Sequence, residues 1–364
     1  MARNTRINLF TVTVILICIG IVMIYSASSI YAWERYQDSA FFLKRHILFL
    51  AIGIVLTFLV MSIDYKVFRK FSRPLLFISF FLLALVLIPG IGREVSGARR
   101  WFRFKVISFQ PSELANLAVI IYVADFIARK GNLIKTFLKG FLPPLLILGA
   151  AALLILIQPD LGTVMAMGIV VFIMLFVAGA RVSYLASVIL ASLPALYLLI
   201  FRVPYRRMRI MAFLNPWVDP RGSGFQIIQS QIALGSGGMF GVGLGHSMQK
   251  LFYLPAAHTD FIFSIIGEEL GLGGTIAVII LFVILILEGL KVVKNAPDKF
   301  GYFLALGLVS MISIKAIINI GVSCGLLPTK GLPLPFISYG GSSFIFDLVS
   351  VGILMNIART GEYP

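Results

Sequence analysis

Runs of roughly 20 apolar residues recur along the chain, separated by short polar or Gly- and Pro-containing intervals. A run of that length crosses a hydrocarbon core as a helix. The pattern predicts ten spans, near 9–30, 46–63, 74–90, 111–128, 140–158, 162–180, 185–201, 260–290, 301–323 and 342–358. Lipid offers the backbone no hydrogen-bond partner, so such spans are helical. The expected fold class is an all-α polytopic integral membrane protein. It forms one transmembrane domain over 1–364, with a long loop at 202–258 between the seventh and eighth spans. Pro159, Asp160 and Leu161 make up the whole turn between the fifth and sixth spans.

Composition agrees: 59% of residues are apolar and 13% charged, too few charges for a water-facing surface on a chain this long. The basic N-terminus runs into its apolar segment without an evident small-residue cleavage site and reads as a retained span. Cys18, Cys324 and the three histidines are scattered, so neither a disulfide framework nor a metal cluster is expected. A net charge of +16 would point to nucleic acid in a soluble protein, but a membrane chain places such charge in its loops, and no nucleic-acid partner is expected. Ten spans put both termini on one side, here side A. The loops of sides A and B hold equal numbers of Lys and Arg, but side A packs its share into less than half the residues. Short-loop density sets orientation, so side A is expected to be cytoplasmic.

The side B cations gather at Arg93–Lys105 and Arg202–Arg209. Either a local anionic ligand such as a diphosphate or anionic lipid headgroups would account for them. The 202–258 loop adds glycines at 222, 224, 235, 237, 238, 241, 243 and 245, which let backbone approach a ligand. Interleaved Phe, Met, Leu and Ile argue against a plain linker, and the loop is expected to pack on the membrane surface or re-enter it. Asp260 stands where this loop meets the eighth span. A helix N-cap is the plainer reading of it, and a general base at the membrane surface is the alternative. Glu113, Asp160, Glu268, Glu269 and Asp347 lie in or beside apolar sequence, where charge is costly and faces a cavity or a partner. Lys315, inside the ninth span, is a partner for one of them. The stretch Pro328–Ser343, with Lys330 and Ser338, is rich in Pro and Gly and must line a cavity or pack into protein.

Several of these segments together resemble the SEDS family (shape, elongation, division and sporulation) of bacterial peptidoglycan polymerases. They are Gly97-Ala98-Arg99-Arg100-Trp101, Phe109-Gln110-Pro111-Ser112-Glu113, Gln158–Thr163, Asn215–Gly245, His258-Thr259-Asp260-Phe261, Gly267–Gly271 and Pro328–Ser343. The resemblance covers nearly the whole chain. Asn215-Pro216-Trp217 and Lys250–Pro255 look closer to the division branch, FtsW, than to the elongation branch, RodA. Where the family often has Glu and Lys, this chain has Ala256 and Asn116.

The resemblance implies a glycosyltransferase that polymerises lipid II, a disaccharide-pentapeptide on undecaprenyl diphosphate, at the outer face of the cytoplasmic membrane during cell division. The family's catalytic aspartate maps onto Asp260 and its outer-loop arginines onto Arg100, Arg206 and Arg209. Lys330, Glu113, Asp160 and Ser338 complete the substrate-binding candidates. No aspartate-rich motif compels a metal, although a divalent cation (Mg or Mn) could share the diphosphate's charge. The implied partners are a single-span class B penicillin-binding protein, other division proteins and membrane lipid. Two other classes compete: a lipid II flippase and a non-catalytic division scaffold. A flippase needs polar groups along its whole path, whereas here the informative residues crowd one face.

Overall fold

The computed structural model describes residues 2–95, 97–104, 107–251 and 253–361; Lys105 and Phe252, in segments singled out above, lie outside them. Every predicted span falls on a helix. In chain order they are α1 (Ala2–Tyr36), α2 (Phe41–Ser62), the short α3 (Lys66–Lys70), α4 (Ser72–Leu85), α5 (Pro111–Lys130), α6 (Leu142–Ile157), α7 (Leu161–Val177), α8 (Val182–Phe201), α9 (Pro204–Leu214), α10 (Phe225–Ser236), α11 (Ile262–Lys294), α12 (Lys299–Ser323) and α13 (Ser342–Thr360). A π-helical turn, Phe137–Phe141, leads into α6. Among the described residues, eight helices are long and apolar enough to cross a membrane; α4 and α7, shorter but apolar, stand where the other two spans were expected.

The fold is helical as expected, with a local departure at 93–109. There, strands β1 (Arg93–Val95), β2 (Ala98–Phe104) and β3 (Ile107–Phe109) form an antiparallel sheet in the order β1-β2-β3. The 202–258 segment is also more than a loop, since α9 and α10 lie within it. α5 and α12 are enclosed by the other helices and bury residues on every face, while Leu185 is the one buried side chain of α8.

α11 is broken at Gly271 (φ 66°, ψ −162°). The freed carbonyls of Glu268 and Glu269 accept from Val242 N at 2.9 Å and Gly243 N at 3.0 Å, and Leu272 N donates to Gly238 O at 2.9 Å. A Cβ at Gly237 or Gly241 would strike the α11 backbone at 1.9 and 2.2 Å, so only glycine allows this approach. The Gly-rich stretch is thus docked on the broken helix, whose orphan groups it satisfies. Glu268 also accepts from Ser247 Oγ and from Met248 N (2.9 Å), and Lys250 Nζ pairs with Glu269 at 2.8 Å.

Lys315 does find its acids. Its Nζ lies 2.8 Å from Glu113 and 3.0 Å from Asp347 and bonds Ser343 Oγ at 3.2 Å, all buried. This cluster joins α5, α12 and α13 in the middle of the bundle.

Candidate active site

The turn into α7 and the one into α11 put two aspartates on the same cavity by different means. Asp160 caps α7: its side chain accepts from Thr163 N at 3.2 Å and Thr163 Oγ1 at 2.9 Å. Asp260 does not cap α11, because the N-cap position is Phe261 and no side chain bonds there. The turn before α11 is closed instead by Ala256 O, which accepts from the amides of 259, 260 and 261. The capping reading of Asp260 therefore falls away.

The cavity is about 310 Å³ and opens on side B. Six of the eight candidates line it: Arg100, Asp160, Arg206, Arg209, Asp260 and Lys330. Arg100 comes from β2 and donates to Gln158 O (2.6 Å) and Pro159 O (2.7 Å), with Asp160 at 4.0 Å, so the sheet is pinned onto the α6–α7 turn. Arg206 and Arg209 lie three residues apart on one face of α9. They donate to Leu199 O (3.1 Å) and Thr329 O (3.0 Å), and Arg209 also lies 4.4 Å over the Tyr205 ring. Both guanidiniums keep further N–H donors for an anion. Lys330 Nζ sits 2.7 Å from Met165 Sδ, a weak acceptor that leaves its charge largely uncompensated.

Burial shifts two ionisable groups of the cavity toward neutrality. It raises the Asp260 carboxyl to about 6, with Arg209 opposing and Asp160 adding to the rise. It lowers Lys330 to about 8, with Asp160 opposing. His258, packed against Phe42 and outside this cavity, is pushed down to about 4 by burial. A proton acceptor near 6 and free cations within one cavity can deprotonate an alcohol and receive an anionic leaving group.

Glu113 and Ser338 do not line this cavity. Glu113 is committed to Lys315, and Ser338 Oγ donates to Thr259 O at 2.6 Å while accepting from Leu334 N at 2.9 Å. Both side chains are taken up by hydrogen bonds within the fold. Asn319, not singled out from sequence, donates through Nδ2 to Asp260 O (2.9 Å) and Leu332 O (2.8 Å); its signal was a lone amide within an apolar span.

An apolar groove of about 690 Å³ between α7 and α8 adjoins the polar cavity and shares Leu161, Met165 and Leu196 with it. Among the described residues no group of three or more His, Cys, Asp or Glu is arranged to hold a metal.

A one-sided cationic cavity with one unpaired carboxylate, continuous with an apolar groove in a bundle of membrane-length helices, defines a polytopic membrane protein built to handle an amphiphilic anion. The cell cycle protein family model that covers FtsW, RodA and SpoVE matches residues 6–363, and the chain belongs to that family. It is 49% identical over 345 residues to the probable peptidoglycan glycosyltransferase FtsW of Geobacter metallireducens, covering 95% of this chain and 92% of that one. It is 47% identical over 355 residues to stage V sporulation protein E of Bacillus subtilis, covering 98% and 97%. Among solved structures, a chain from a peptidoglycan synthase complex that coordinates polymerization and crosslinking matches with TM-score 0.81 and 29% identity over 98% of both chains. The rod shape determining protein RodA of Thermus thermophilus matches with TM-score 0.72 and 28% identity, over 98% and 97%.

Proposed function

We propose that the chain is an inverting glycosyltransferase that polymerises lipid II, with the cavity facing the outside of the cytoplasmic membrane and both termini in the cytoplasm. The observation that carries the reading is the meeting of Asp260, Arg209 and Lys330 in a polar cavity continuous with an apolar groove. Such a site suits a sugar diphosphate on an isoprenoid chain, with the diphosphate against the cations and the chain in the groove.

Asp260 takes the proton from the 4-hydroxyl of the acceptor GlcNAc. That oxygen bonds to C1 of the donor MurNAc as the C1–O bond to the diphosphate breaks, and undecaprenyl diphosphate leaves. Negative charge grows on the leaving group, so Arg206, Arg209 and Lys330 stabilise the transition state more than the ground state. Arg100 acts mainly by holding the Gln158–Asp160 turn. Asp160 and Asp260 face the cavity, and one or two carboxylates with substrate phosphate oxygens and water are a usual ligand set for Mg. Mg or Mn would arrive with the diphosphate, and no step here runs through it.

The flippase alternative finds little support. The deep charges at Lys315, Glu113 and Asp347 are tied to one another, and the cavity they line is about 10 Å³. The relatives named for peptidoglycan synthesis, and the solved complex that couples polymerization to crosslinking, support a class B penicillin-binding protein as partner. Other division proteins follow from the same likeness to FtsW. The test is polymerisation of labelled lipid II by the purified chain, alone and with a partner whose transpeptidase serine is inactivated. Glycan strands that grow with the inactive partner present support the reading, and their absence in both arms refutes it.

A further inference from the structure

Three consecutive main-chain carbonyls in the segment that bears Asp260 are each held by a donor from elsewhere in the fold. His258 O accepts from Tyr339 N at 3.0 Å, Thr259 O from Ser338 Oγ at 2.6 Å, and Asp260 O from Asn319 Nδ2 at 2.9 Å. The second proton of Asn319 Nδ2 goes to Leu332 O at 2.8 Å, two residues beyond Lys330. Ser338 Oγ also accepts from Leu334 N at 2.9 Å. One amide and one hydroxyl thus tie the strip that carries the carboxylate to the loop that carries the cation.

The strip needs holding. Its turn starts at Ala256, a residue with a side chain at φ +58°, which persists only where surroundings over-determine it. It belongs to neither a strand nor the regular part of α11. Asn319 and Ser338 are each 1% exposed, and neither lines the cavity. Asn319 leaves its Oδ1 buried without a partner. An unpaired buried carbonyl is unfavourable, so what recommends an amide here is the pair of donors on its other end.

We infer that Asn319 and Ser338 are positioning residues for glycosyl transfer, fixing the Asp260 carboxylate relative to Lys330 through the main chain. The inference rests on the reading of Asp260 as the base. Arg206 and Arg209 hang on α9 and meet the clamped loop through the bond from Arg209 to Thr329 O (3.0 Å), so the clamp acts more on turnover than on substrate capture.

The test uses the full chain with its serine-inactive partner and three variants: Asn319→Ala, Ser338→Ala and Asp260→Asn. The first two should each lower kcat by about ten-fold or more, since a misplacement of about 1 Å is that costly in a reacting geometry. KM for lipid II should change by less than about three-fold, in keeping with intact phosphate contacts. The acid limb of the pH–rate profile should move to lower pH, because a loosened strip admits water to the carboxylate. Hydrogen exchange at 258–261 should quicken in both. If Asn319→Ala fails to insert, Ser338→Ala, which removes a single donor, carries the test. A folded Ser338→Ala protein with normal kcat and an unmoved acid limb overturns the inference, as does a raised KM with kcat intact. An active Asp260→Asn protein would instead sink the base reading; an inactive one beside a normal Ser338→Ala sinks the clamp alone.

Discussion

A Cβ placed on Gly331 would lie 3.3 Å from Asp260 Oδ2, so the backbone next to Lys330 closes directly over the carboxylate. A Cβ there is already in tight contact, and a branched side chain would crowd the carboxylate further. Gly331→Val should fold and insert normally yet lose about ten-fold or more in polymerisation rate, through a displaced base or a blocked hydroxyl. Initial rates on labelled lipid II, normalised to inserted protein, check this; a wild-type rate would mean that the acceptor approaches from elsewhere.

Arg206 and Arg209 share a helix face, and each keeps free N–H donors toward the cavity. Charge-assisted contacts of this kind contribute about 1.5–3 kcal/mol each. The double Ala variant should therefore lose about 100-fold or more in kcat/KM. Lys at either position should recover part of it, because a point charge replaces a planar fork. Full activity in the double Ala variant would return these arginines to a lipid-headgroup role.

The shifted groups set the pH window. Asp260, raised to about 6, must be ionised to accept a proton, so the rate should fall as pH drops through about 6. Lys330, lowered to about 8, must be protonated to hold the diphosphate, so the rate should fall as pH rises through about 8. Lys330→Arg should abolish the alkaline limb and leave the acid limb in place. Linkage also gives a sign for stability. A carboxyl whose folded pKa is raised binds more protons in the folded state, so its ionisation destabilises the protein as pH climbs above the ordinary carboxyl range. Asp260→Asn should therefore raise the Tm at pH 7 while removing activity, and a lowered Tm there would contradict the burial assigned to this carboxyl.

The buried cluster of Lys315 with Glu113 and Asp347 holds α5, α12 and α13 together. Lys315→Met leaves two carboxylates without their cation, a change that costs about 3–5 kcal/mol when a buried pair is broken. Its Tm in detergent should drop sharply, and adding Glu113→Gln with Asp347→Asn should restore most of it. A Tm that stays at the wild-type value in Lys315→Met would mean that the cluster is hydrated and contributes little.

The spans were legible because an apolar run of membrane length has one physical use. The cavity was legible in part, because cations on side B and an aspartate at a span boundary need a reason to be there. The sheet at 93–109 was not, since β2 reads Ala-Arg-Arg-Trp-Phe-Arg-Phe and shows no clean two-residue alternation. α9 and α10 were hidden by the glycines and prolines between them, which masked two short helical stretches. Gly237, Gly238 and Gly241, beyond α10, are consumed in docking onto the α11 break. Ser338 stands in a Pro- and Gly-rich loop, and its hydroxyl both donates to and accepts from backbone. Sequence shows which side chains are polar, not which of their hydrogen bonds the fold has already taken.

The central claim is that Asp260 removes the acceptor's proton, and Asp260→Asn tests it most directly because it keeps the shape and removes the basicity. With the serine-inactive partner present and insertion verified, the variant should make glycan strands from labelled lipid II at least about 100-fold more slowly than the parent chain across pH 5–9. It should still bind lipid II, because the cations are untouched. Strand synthesis at the parent rate would contradict the account and leave Asp260 without a catalytic role.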